Sequence, residues 1–247
     1  MESIGIIGFG RFGQLMAIHL KESLEVYVGN RSDKSAIAEE MGVNYAPIAE
    51  CARKDIVVPC VPISQLEATL RSISGKVRED SLVCDVCSVK IWPAIWMSEI
   101  LPRQCSILGT HPLFGPDTTK RGLGGKMIAL CPIRGVDIEK VEGFLHSLGL
   151  VTKTTTPENH DMQMARSLAL IHYLGNALDR LDIDSVELAT KTHEKLRELV
   201  TITRNDSKQL FMDMHRYNPY VSKVRKELIG ELVDLDKELD RNSIGII

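Results

Sequence analysis

The chain has 247 residues, enough for one large domain or two modest ones, each with a proper core. Its 44% hydrophobic and 26% charged content is ordinary for a soluble globular protein, and a net charge of -3 gives no general reason to expect nucleic acid as a partner. No apolar run approaches a membrane span, and "MESIGIIGFG" enters a strand pattern without the basic start of a signal peptide, so a cytoplasmic enzyme or binding protein is expected.

"SIGIIGFG" reads as a strand and "GRFGQLMAIHLKES" as a helix with Phe12, Leu15, Met16 and His19 on one side. Their junction, Gly8-Phe9-Gly10-Arg11-Phe12-Gly13, is a GxGxxG. One glycine permits the turn, one lets a pyrophosphate approach the backbone, and one lets helix and strand pack closely. The spacing is weak evidence alone. Here it follows a strand, opens a helix and begins a βαβ unit, and so predicts a dinucleotide site at the helix N-terminus.

The next strand, "LEVYVGN", ends at Asn30, where an NAD site usually carries an acid for the ribose 2′-OH. Arg31, Ser32 and Lys34 follow, and an arginine can grip a 2′-phosphate that a carboxylate would repel. NADP is the expected cofactor, with NAD possible. Asp33 is expected to cap the next helix, "DKSAIAEEMG".

Strands "DIVVPCVP", "DSLVCDVCS", "QCSILGTH" and "KMIALCP" then alternate with helices such as "SQLEATLRSI" and "GVDIEKVEGFLHSLGL". Fully apolar strands alternating with helices predict an α/β fold, a doubly wound parallel sheet covered on both faces. Cys84 and Cys87 form a CxxC with no second pair, in a strand-like run, and read as small buried residues with no metal. After "VTKTTTPENHD" the strand pattern ends and helical periodicity takes over. This predicts a dinucleotide-binding domain over 1–156 and an all-helical substrate and dimerisation domain over 157–247.

In such a sheet ligands bind beyond the carboxyl ends of the strands. There "LVCDVCSVK" presents Ser88 and Lys90, and "SILGTHPLFGPD" presents Thr110 and His111. A histidine beside a nicotinamide can take the proton of an alcohol as hydride leaves the same carbon.

The segments "DVCSVK", "GTHPLFGPD", "ENHDMQMARSLALIHYLG" and "NDSKQLFMDMHRYNP" resemble the arogenate/prephenate dehydrogenase family, most of all its short plant-type members. The resemblance runs from the glycine loop to about Asn218. It implies NADP-dependent oxidative decarboxylation of a cyclohexadienol, giving tyrosine or 4-hydroxyphenylpyruvate, by a homodimer joined through its helices. Carried over by motif, His111 would be the catalytic histidine that hydrogen-bonds the ring hydroxyl, and Ser88 would share that hydrogen bond and contact the nicotinamide. Thr110, Asp117, His160, Asp161 and His172 would line the substrate site, and Asp206 would read the side chain that separates arogenate from prephenate. Asp161 and His172 are three helical turns apart, on one face with Ala165 and Leu168.

Leu168 and Ile171 depart from residues common in the family. Thr201 stands where bacterial members hold the ring carboxylate with an arginine, with Arg204 nearby. Two other readings remain at this point. A β-hydroxyacid dehydrogenase would need a lysine from the helical part, where Lys191 and Lys195 sit, and a non-enzymatic NADP-binding redox sensor would have no need of Ser88 with His111.

Overall fold

The structure, a computed structural model, describes residues 2–119 and 122–242. The chain divides into two compact units, the first ending at His160 and the second beginning at Asp161. Among the described residues no helix is long and apolar enough to cross a membrane.

The first unit is built on one eight-stranded sheet. Its strands are β1 Ser3–Ile7, β2 Glu25–Gly29, β3 Asn44–Tyr45, β4 Ile56–Pro59, β5 Leu82–Asp85, β6 Ser106–Pro112, β7 Met127–Arg134 and β8 Val151–Thr154. The order is β3-β2-β1-β4-β5-β6-β7-β8. Helices α1 Arg11–Leu20, α2 Ser35–Met41, α3 Ile48–Cys51, α4 Ile63–Ile73, α5 Ile91–Ile100 and α6 Ile138–Ser147 connect them. Buried Ile, Val and Leu side chains of β1, β2, β4, β6 and β7 form the core. At Gly5 a Cβ would lie 1.9 Å from the carbonyl oxygen of Cys51, so the end of α3 packs directly on the backbone of β1.

Two sequence expectations need correction. The parallel pattern holds from β3 through β6, but β7 runs antiparallel to β6, and β8 pairs parallel with β7. The β6–β7 link carries no α-helix among its described residues, only a 3-10 turn at Pro116–Thr118, and so lacks the usual helical crossover of a parallel return. The second correction is β8, a strand that the sequence reading did not name. Its residues are exposed or half-buried, so no apolar pattern marks them. Helix α1 carries Phe12, Leu15, Met16 and His19 on one side, as the sequence reads; they line an apolar cavity of about 580 Å³, while Gly13, Ala17 and Leu20 are buried.

Helix α7, Pro157–Met164, spans the division between the units. In the second unit it continues through a π turn at Ala165–Ala169 into α8, Leu170–Asp179. Then come α9 Lys191–Asn205, α10 Lys208–Tyr217 and α11 Val221–Asn242. Ala165, Ala169, Val221 and Val224 form the unit's buried apolar cluster. A π turn holds more residues than an α turn. The buried row accordingly runs Asp161, Ala165, Ala169, His172, with Ala169 where the sequence reading placed Leu168.

Candidate active site

The glycine loop is built as its spacing predicts. Gly8 has φ of +106°, and a Cβ there would lie 2.3 Å from the carbonyl oxygen of Cys60. A Cβ at Gly13 would lie 2.2 Å from the carbonyl oxygen of Gly8, so only glycine lets α1 approach the loop. At Gly10 a Cβ would meet nothing within 4 Å. Gly10 is also the N-cap of α1, without a side-chain cap, which leaves an open cradle beside the helix N-terminus. This fits a dinucleotide pyrophosphate. Phe9 is wholly buried, Phe12 tilts against Phe114, and Arg11 is paired with Asp117 at 2.8 Å.

Asn30 faces the glycine loop. Its Oδ1 accepts the Phe9 N–H at 3.1 Å, and its Nδ2 donates to the Ser32 carbonyl and hydroxyl at 3.1 and 2.9 Å. Arg31 is exposed and donates to Gln65 on α4 at 2.9 Å. The Asp33 carboxylate accepts the N–H of Ser35, the first residue of α2, at 2.9 Å. It thus serves the helix start, although the cap position itself belongs to Lys34.

At the carboxyl ends of the strands, Asp85 pairs with Gly109, which brings the turn after β5 alongside Thr110 and His111. Leu108, Thr110 and Pro112 line the apolar cavity, so His111, alternating with them, lies on the other face of the sheet. His111 is buried, and its Nδ1 lies 2.8 Å from Nε2 of buried His160. Burial first, then His160 and Lys90, hold the His111 imidazole well below the ordinary histidine range. The Ser88 hydroxyl is buried with no hydrogen-bond partner among the described residues. That is unusual for a buried hydroxyl, and suits one whose partner is a ligand. Thr110 instead donates its hydroxyl to the Asp85 carbonyl at 2.5 Å. The Cys84 and Cys87 thiols are buried, and burial pushes Cys84 up to about 12.

In the second unit, His172 Nε2 lies 3.4 Å from Asp206, and its buried Nδ1 has no partner among the described residues. Burial lowers its pKa, and Asp206 partly offsets that shift. The cap of α10 is Ser207, whose hydroxyl accepts the Leu210 N–H at 3.1 Å, rather than Asp206. Asp161 is buried, with its carbonyl accepting from Asn218 at 2.7 Å.

With this geometry in place, likeness to known proteins is informative. Residues 16–153 match the prephenate dehydrogenase nucleotide-binding domain, and residues 177–245 match a TYRAAT1-like C-terminal domain. The chain belongs to the prephenate dehydrogenase family. It is 32% identical to the chloroplastic arogenate dehydrogenase 2 of Arabidopsis thaliana, over 93% of this chain and 70% of that one. Arogenate dehydrogenase 1 of the same plant is 30% identical over 87% of this chain, which spans only 36% of that relative. The fold matches prephenate dehydrogenase from Aquifex aeolicus, solved with hydroxyphenyl propionate and NAD+, at a TM-score of 0.79 and 21% identity, covering 98% of this chain and 91% of that one. Synechocystis arogenate dehydrogenase matches at a TM-score of 0.67 and 21% identity, covering 97% and 90%.

Against the prephenate dehydrogenase pattern, Thr201 donates its hydroxyl to the Arg197 carbonyl at 2.8 Å. Arg204 is gripped by Asp179 and Asp184 at 2.9 and 3.0 Å. Sequence reasoning placed Lys90 with Ser88 at the strand ends but did not pair it with the buried Asp85, and it did not name Gln65. Lys90 stands in the D-x-x-S-V-K motif, a signal that was present, whereas nothing local marks Gln65.

The His111 shift has a direct consequence. Its ring should stay neutral through pH 7 and take up a proton only well below 6.5. The unfolded chain binds that proton near 6.5, so this group's stabilisation is present above 6.5 and lost as pH falls toward the folded value. An NMR titration of the His111 imidazole carbon should be flat across neutral pH; a midpoint at or above 6.5 would contradict the burial argument.

Proposed function

We propose that this protein carries out the NADP-dependent oxidative decarboxylation of arogenate to tyrosine, with prephenate the poorer substrate. The observation that carries the reading is His111, neutral and buried, backed at Nδ1 by His160 and at the same carboxyl end of the strands as the Ser88 hydroxyl, which has no partner among the described residues. With the Nδ1 proton donated to His160, His111 Nε2 accepts the proton of the ring hydroxyl, which Ser88 holds in place. The dinucleotide that Gly8, Gly10 and Gly13 would hold would supply, in its nicotinamide, the hydride acceptor for the carbon bearing that hydroxyl. The ring carboxylate then leaves as carbon dioxide, the electrons of the broken bond completing the aromatic ring. Aromatisation drives the step, so the chain supplies one base and positioning.

Gly8, Gly10 and Gly13 would receive the pyrophosphate, and Arg31, Ser32 and Lys34 the 2′-phosphate. Asn30 orients Ser32 toward that role. All six cysteines are free, which suits a reducing compartment such as the cytoplasm. Along α11, Ile229, Leu232, Leu235 and Leu239 are each about half exposed, an apolar stripe that a second copy of the chain would cover in a homodimer.

Turnover of arogenate with NADP is the direct test, and His111→Asn should lower kcat by roughly 10²–10⁴ with cofactor affinity little changed. An enzyme inactive on both arogenate and prephenate would end this reading.

Cofactor choice is tested by Arg31→Ala. The unmodified enzyme should prefer NADP, and the substitution should weaken NADP binding about ten- to a hundredfold, the value of one charge-assisted contact of roughly 1.5–3 kcal/mol, leaving NAD unchanged. Equal use of NAD and NADP by the unmodified enzyme would overturn it.

The substrate's side chain is assigned to the His172–Asp206 pair. Arogenate carries an ammonium where prephenate carries a keto group, and a carboxylate favours the former. Because Ser207 caps α10, Asp206→Asn should leave stability nearly unchanged. It should weaken arogenate by about 1.5–3 kcal/mol while prephenate improves. An unchanged substrate ratio would remove Asp206 from this role.

A further inference from the structure

Lys90 lies at the N-cap of α5 and is 1% exposed, a place where an ammonium ion is costly unless paired. It forms a short ion pair with Asp85, both side chains wholly buried, and donates to the carbonyl of Thr110 at 2.6 Å. The same Asp85 Oδ2 accepts the Cys87 N–H at 2.9 Å, one residue before Ser88. The Asp85 carbonyl accepts the Thr110 hydroxyl, one residue before His111. The chain makes room for this hub at Gly109, where a Cβ would lie 3.2 Å from Lys90 Cδ. One ammonium therefore joins the end of β5, the turn that carries Ser88 and the peptide that carries His111.

A buried ion pair is poor evidence for stability, since well-packed apolar replacements are often neutral or better. What an ammonium does here that a methyl group cannot is hold a carboxylate and a carbonyl from two strand ends at one point. We propose that Lys90 is a positioning residue for the reaction, fixing His111 relative to Ser88 through the Asp85 carboxylate and the Thr110 carbonyl without touching substrate. The proposal rests on the proposed roles of those two residues. A displacement of about 1 Å in a reacting group costs on the order of a hundredfold in rate while leaving binding groups in place.

The test compares the parent with Lys90→Met and with Lys90→Met/Asp85→Asn, the second removing the carboxylate that the first would strand. Melting temperature, NADP affinity, KM and kcat for arogenate are measured on each. The double variant should melt near the parent and keep KM and NADP affinity within about threefold, yet lose about a hundredfold in kcat. A folded double variant with kcat within about threefold of the parent would make the pair purely structural. Should both variants fail to fold, a crystal structure of the parent with the product tyrosine decides. Lys90 Nζ on the Thr110 carbonyl and away from product supports positioning, and Nζ bound to product overturns it. A parent inactive on arogenate and prephenate would instead refute the proposed function, an outcome separate from a parent and variants that are equally fast.

Discussion

A buried histidine cannot let water settle its protonation, so its neighbours must do so. His111 is closed off by burial, faces His160 at 2.8 Å and has the Lys90 ammonium close enough to disfavour a second positive charge. The arrangement constrains much of the first unit. β6 must deliver His111 to one face of the sheet, α7 must bring His160 against it, and β5 must end in a turn that leaves the Ser88 hydroxyl without a partner among the described residues. Each requirement concerns backbone placement more than side-chain identity. That explains why Asp85 accepts hydrogen bonds from the Cys87 N–H and the Thr110 hydroxyl, tying strand ends together.

The cofactor end follows the same logic with different materials. Glycines at 8 and 13 remove side chains that would collide with backbone, and Gly10 leaves space open. Asn30 then links the loop to the second strand by accepting from Phe9 and donating to Ser32. An acid in its place could accept from Phe9 but could not donate to Ser32. The residue thus supports the neighbouring polar groups. Gln65 completes that support from α4, by holding the Arg31 guanidinium.

The second unit shows how a local assignment can conceal a distant one. Asp beside the start of a helix is read as a cap, yet Ser207 performs that task and Asp206 reaches His172. Likewise the π turn advances the buried row to Ala169, so that helical periodicity counted in α turns names the wrong neighbour beside His172.

The glycine loop, the apolar strands, the change of texture near residue 157 and the His111 motif were legible from sequence. Each rests on short-range rules, namely turn sterics, side-chain alternation and the run of a strand into its loop. The antiparallel β7 and the exposed edge strand β8 were not, because direction and burial are settled by what packs alongside. Sequence also named His111 and His160 without placing them in contact, since 49 residues separate them. Which nitrogen faces which, which acid caps and which reaches across, and which lysine enters the interior depend on side chains far apart in the chain. Only the folded backbone brings these to hydrogen-bond distance.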